Sequence, residues 1–258
     1  MTNFIQLLRK SISSLERYPA FLLAAWLVVI LSLPLLNLVF GEQALLQGLA
    51  LAVLLQVAFV LNVLYRAWGW WSMLRAAAGV VLLAWAVQAI VIRSGLPYGD
   101  MRYTSLLQPQ VMSVPVLVPL TWLMMLPPAW AIAMLITRKM SGCLMRPAFV
   151  LVSAVAFTAW GFSLDPLVVH LGLMQWTPVG DFYGTPWMNY IGWLIVSAVI
   201  TFGIFPKRLP GGSLVLLYGL TWLAEFISLI IFWGLPVPAI LEFILMGGML
   251  LWAAIITR

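Results

Sequence analysis

Charge is scarce in this sequence: Asp, Glu, Lys and Arg together supply 8% of its 258 residues, against 64% for the hydrophobic types. Soluble domains carry about a quarter of their residues as charges, so the composition excludes that class and leaves an integral membrane protein. Cysteine is nearly absent, with Cys143 standing alone. No internal disulfide can form, no CxxC or Cys/His cluster offers a thiolate metal site, and Cys143 is expected to be a buried, inert thiol. The single histidine, His170, has no Asp/Ser or second-histidine partner at a recognisable spacing. That argues against a hydrolytic triad and against a metal centre. A cleavable leader is not expected either, because residues 1–20 lack a short apolar core closed by small residues. With no polar linker, low-complexity run or repeat, one integral membrane domain over 1–258 is expected.

Long apolar runs are what the chain has instead. On the ruler of about 20 residues per crossing, eight spans fall near 20–40, 43–64, 74–93, 114–136, 147–164, 187–205, 213–233 and 237–256. Backbone groups at that depth must be satisfied within each segment, which predicts an all-α polytopic transmembrane helix bundle behind a short amphipathic lead-in. The net charge of +6 then marks a membrane side and not a nucleic-acid site. Arg9, Lys10, Arg17, Arg66, Arg75, Arg138, Lys139, Arg146, Lys207, Arg208 and Arg258 all fall on one side of an eight-span topology, and Arg93 and Arg102 on the other. By the positive-inside rule both termini are cytoplasmic, and the expected location is the cell membrane.

Two connections are unusually long, 94–113 and 165–186, and this topology puts both on the non-cytoplasmic side. They are too aromatic and apolar for disorder, and connections of that length are commonly functional. Asp100, Asp165, Asp181 and His170 belong to them. Pro166 lacks an N–H and disfavours helix at the residue before it, so the fifth span is expected to stop at Asp165. That residue is either a carboxylate ending a helix at the interface or an acid in apolar surroundings, able to hold a proton and donate it. Glu225 and Glu242 lie inside spans, where a carboxylate is costly and faces a protein interior or cavity. Tyr218, Trp222 and Glu225 share one helix face. Asn189, just inside the sixth span, is either polar glue between helices or a hydrogen-bond donor to substrate or water.

Trp26, Trp68, Trp70 and Trp71 suit interface anchors. Trp176, Tyr183, Trp187, Tyr190 and Trp193 suit that role less well, because they crowd one segment with Gly180, Gly184, Gly192 and Pro186. Glycine admits close approach of a backbone or flat ligand, and aromatic faces attract cations. These features together suit a long apolar substrate entering from lipid, an acid that protonates it and π faces that stabilise the resulting carbocation. A quinone or lipid site would use many of the same residues.

GLPYGDMRYT at 95–104, VPVLVPLTWLMML at 114–126, LDP at 164–166 and GDFYGTPWMNYIGW at 180–193 together resemble the membrane carotenoid-biosynthesis family of 1,2-hydratases. That family includes bacterial γ-carotene 1′-hydratases and archaeal bisanhydrobacterioruberin hydratases. Met101, Met174 and Phe182 depart from it, standing where an aromatic, a tryptophan and a tyrosine are common. The resemblance implies addition of water to the terminal C1–C2 double bond of an acyclic (ψ) end, without redox cofactor or metal. The implied partners are a carotenoid substrate such as lycopene or γ-carotene, membrane lipid and other enzymes of the pathway, and no nucleic acid. On that basis Asp165 is the expected proton donor, with Glu225 its competitor and Asp181 or Asp100 handling the water. Tyr183, Trp187 and Trp193 would line the cation site, Tyr98, Tyr103 and Asn189 would supply hydrogen bonds, and Trp176 and Trp222 would complete the substrate pocket. The rival readings are a lipid or isoprenoid transporter or binding protein, and another carotenoid end-group enzyme such as a cyclase.

Overall fold

The computed structural model describes residues 2–13, 15–96, 99–206 and 209–257. Tyr98, Lys207, Arg208 and Arg258 therefore lie outside the described residues. A short helix α1 (Thr2–Ser13) leads into eight long ones. These are α2 (Arg17–Phe40), α3 (Glu42–Trp68), α4 (Trp70–Ser94), α5 (Leu117–Thr137), α6 (Met145–His170), α7 (Trp187–Ile204), α8 (Gly211–Ile231) and α9 (Pro236–Ile256). All eight are long and apolar enough to cross a bilayer, so the protein is a multi-pass membrane protein and the expected spans are present within a few residues.

Helix α5 is the axis. Of its spanning stretch 83% is buried, compared with 28% for α2 at the periphery, and it packs against α3, α4, α6, α8 and α9. Outward faces carry residues such as Phe21, Val28 and Leu38, exposed at 66%, 69% and 82%. In water such a belt would be untenable, whereas against lipid tails it costs nothing. Trp70 and Trp71 are exposed at a helix start, as interface anchors should be, but Trp26 is fully buried. It sits well inside α2, where its ring fills the bundle and cannot reach the interface.

Two further expectations need correction. Helix α6 does not stop at Asp165 but runs through Pro166 to His170. Proline removes one backbone donor, yet within a membrane bundle neighbouring helices support an interrupted helix, and α5, with Pro127 and Pro128, does the same. Asp165 is consequently 5% exposed, inside a helix and not at its end. Cys143 is exposed, because it belongs to the 3-10 turn Gly142–Leu144 that joins α5 to α6.

The two long connections meet. Strand β1 (Met101–Tyr103) comes from the first and pairs antiparallel with β4 (Met174–Trp176) from the second, matching Met101 with Trp176 and Tyr103 with Met174. Thr104 N–H to Leu173 O, at 3.1 Å, and Thr177 N–H to Asp100 O, at 2.9 Å, extend the ladder at its two ends. Between them in sequence, β2 (Gln110–Val111) and β3 (Val114–Pro115) form a hairpin, which Trp85 of α4 ties down by donating to Val111 O at 3.2 Å. The result is a cap over one end of the bundle.

Candidate active site

Beneath the cap lies a cavity of about 110 Å3 among α3, α4, α5, α6 and α7. Asp165 enters it from α6, Asn189 from the first turn of α7, Gln88 from α4 and Tyr103 from β1. Leu49, Val53, Leu164 and Val168 make much of the wall apolar, and Trp122 and Trp193 add two indole faces. Met101 and Met174 close it from above, one from each strand of the cap. Its size is well below the roughly 300–1,000 Å3 of pockets that take whole drug-sized ligands. It suits the thin, branched end of a long hydrocarbon.

The polar groups form an ordered set. Asn189 Nδ2 donates to Asp165 Oδ2, and both residues are buried, so the amide fixes the carboxyl rotamer from the neighbouring helix. Tyr103 donates its hydroxyl to Gln88 Oε1 at 3.2 Å. Burial pushes the Tyr103 phenol above its ordinary value, and Asp165, whenever it is ionised, pushes it further. It is therefore a neutral donor throughout the physiological range.

Trp193 is the hub of the aromatic wall. Its ring centroid lies 5.3 Å from Trp122, 5.1 Å from Phe157 and 5.8 Å from Trp160. Gly161 makes this possible, because a Cβ there would come within 3.0 Å of the Trp193 ring. Through Trp160 the wall reaches a second carboxyl: Trp160 Nε1 donates to Glu225 Oε1 at 2.7 Å, and Ser163 Oγ to Glu225 Oε2 at 2.6 Å. Glu225 faces an adjoining chamber of about 90 Å3, which Trp26 also lines.

Of the residues that the sequence singles out, Asp165, Asn189, Tyr103 and Trp193 thus come together in one cavity, with Glu225 next door. The others stand apart. Asp100 and Asp181 are exposed, and Asp100 serves the cap through its backbone carbonyl. Trp176 is buried under the cap against Gly99. Tyr183 and Trp187, 39% and 52% exposed, join Phe162, Phe182 and Tyr190 in a separate aromatic group, in which Phe162 and Tyr190 stack at 4.0 Å. Trp222 stacks on Phe243 of α9 at 4.7 Å and lines neither chamber. Glu242 is fully buried and also lines neither. Among the described residues no three His, Cys, Asp or Glu side chains gather as a metal ion would require.

The glycine-rich turn before α7 is built by close backbone packing. Gly180 pairs with Gly184 and Phe182 with Thr185, and a Cβ on Gly180 would lie 2.1 Å from Pro186 N. Only glycine fits there, and the turn so formed delivers Pro186 as the N-cap of α7 and Asn189 into its first turn.

Sequence reasoning missed Gln88, Trp122, Trp160 and Ser163. Gln88 was legible as a polar residue inside an apolar span, and Ser163 as one of two polar residues around Leu164 in FSLDP. Nothing in the sequence marks Trp122 and Trp160, which only the packing around Trp193 selects.

Residues 48–249 match the family described as carotenoid biosynthesis protein. The chain belongs to that family. The matched stretch contains the cap and every residue named above that lines the cavity beneath it. The chain, a carotenoid biosynthesis protein by family, is 26% identical over 126 residues to a bisanhydrobacterioruberin hydratase from Haloarcula japonica. The alignment covers 48% of this chain and 42% of that protein, so the chain matches less than half the length of this relative. No solved structure matches.

Proposed function

We propose that the protein is a carotenoid 1,2-hydratase, adding water across the terminal C1–C2 double bond of an acyclic end group. The observation that carries this reading is a buried carboxyl, Asp165, oriented by Asn189 in an apolar cavity beside the faces of Trp122 and Trp193. Those are the parts that protonation of an alkene needs: an acid, a dry site and π surfaces for the cation. The hydratase name of the partial relative supports the same chemistry.

In this mechanism the terminal isoprene unit enters the cavity with the polyene trailing towards lipid. The Asp165 O–H breaks and its proton joins C-2, leaving the positive charge on the tertiary carbon C-1. Trp122 and Trp193 stabilise that charge, in competition with loss of a proton from a neighbouring carbon. A water oxygen bonds to C-1 as one of its O–H bonds breaks, and the proton so released balances the one that Asp165 gave up and regains from solvent. The sum is substrate plus water, with no change of oxidation state, so the reaction balances without an electron carrier. Tyr103 and Gln88 form the polar edge of the site and position the end group or the product hydroxyl.

Expression in a lycopene-producing and in a γ-carotene-producing host, followed by mass spectrometry of the pigments, tests the reading. A gain of one water per acyclic end is the expected result. An isomer of unchanged mass would indicate cyclisation instead, and unmodified pigments beside folded protein would indicate binding or transport.

A further inference from the structure

Asp165 and Glu225 open on different chambers, but the chambers share a boundary. Leu49, Val53, Thr121 and Leu164 line both, so these four residues form a shared wall between the two spaces. Among the described residues that line the second chamber Glu225 is the only carboxyl, and each of its oxygens already accepts one bond, from Trp160 and from Ser163. A carboxylate oxygen has a further lone pair, and on this group it is left for the chamber. Among the other polar groups there, Gln56 donates to Met125 Sδ at 3.3 Å, Thr121 to Val118 O at 2.7 Å, and Ser228 Oγ accepts from Trp233 Nε1 at 2.8 Å, while the buried Trp26 N–H has no partner among the described residues and is a donor free to meet a water. The space has room for several waters, and Glu225 is the strongest acceptor available to hold one.

We propose that the second chamber is the water chamber of the reaction, with Glu225 as the base that holds the nucleophile and takes its proton. This inference rests on the hydratase reading and divides its labour. Asp165 protonates C-2 from one chamber. Water on Glu225 attacks C-1 across the shared boundary, forming the C–O bond as an O–H bond breaks and its proton passes to the Glu225 carboxylate. One proton has then moved from Asp165 to Glu225, and exchange with solvent returns both groups to their starting states. The arrangement explains why the acids exposed on the cap are not needed to handle water.

The test uses purified protein in detergent with an acyclic carotenoid in deuterated water. Wild type is expected to give the alcohol with deuterium at C-2. Glu225→Gln, whose amide oxygen can still accept from Trp160, is expected to lose hydration at least about tenfold. Its Asp165 still protonates the alkene, and the cation, left without an activated water, expels a proton. The recovered hydrocarbon should therefore carry deuterium at C-2 or in the terminal methyl groups. Asp165→Asn should lose both hydration and exchange, and Glu225→Asp should regain part of the hydration. Unimpaired hydration by Glu225→Gln would overturn the assignment. So would loss of exchange together with hydration in a Glu225→Gln protein that elutes as wild type on gel filtration. Absence of any water addition by wild type would instead remove the hydratase reading beneath it.

Discussion

Replacing Asp165 by asparagine is expected to lower the conversion of an acyclic carotenoid about a thousandfold, the middle of the range that a positioned general acid supplies. The substitution is nearly isosteric. Its amide oxygen can still accept from Asn189 Nδ2, so the α6–α7 contact that the present pair makes survives and folding is spared. What is lost is the proton. Initial rates of alcohol formation, normalised to protein recovered as a single gel-filtration peak, measure the effect. Activity within a few fold of wild type in such a protein would remove Asp165 as donor, and Glu225, in the adjoining chamber, would be next in line.

The second large effect is expected at Trp193. Truncation to alanine would confuse chemistry with stability, because removing a buried tryptophan side chain typically costs about 3–5 kcal/mol. Leucine and phenylalanine separate the two. Both are smaller apolar side chains, but only phenylalanine keeps a π face toward the cavity. A desolvated cation–π contact is worth about 2 kcal/mol, which corresponds to about 30-fold in rate. Trp193→Leu should therefore lose at least that factor relative to Trp193→Phe, with both proteins melting at similar temperatures. Equal rates for the pair would mean that Trp193 shapes the cavity without stabilising charge.

The membrane helices were legible because hydropathy and backbone satisfaction act locally: every apolar run of sufficient length must become a helix, whatever its neighbours. Pro166 shows where local reasoning fails. In water it would end the helix, but α6 continues past it to His170, and that extension moves Asp165 from the interface into the interior. The cap was legible only as two long connections on one side. Its strands have only two or three residues each, and β1 exists because β4 lies opposite, across more than seventy residues of chain. No periodicity in three residues could show it.

The site divides along the same line. Asp165, Asn189 and Trp193 were found because a polar or aromatic residue at the end of an apolar run is conspicuous. Asp100 and Asp181 were equally conspicuous, yet the ladder and the turn that contain them hold them exposed. Trp122 and Trp160 were invisible, because one tryptophan among fourteen acquires meaning only through Gly161, whose missing side chain lets Trp193 settle onto α6. The segment DFYGTPWMNYIGW accordingly has two functions. Its first half builds the turn and the outer aromatic group, and its second half sends Asn189 and Trp193 into the cavity.

In the proposed mechanism the buried carboxyl beneath the cap drives addition of water to a terminal alkene. The most direct measurement of that step is the product formed by purified protein from lycopene in water labelled with both oxygen-18 and deuterium. An alcohol with oxygen-18 at C-1 and one deuterium at C-2 for each modified end is expected, and none of it from Asp165→Asn. A hydroxyl oxygen drawn from dissolved dioxygen, or lycopene recovered unchanged and unlabelled from folded wild-type protein, would contradict it.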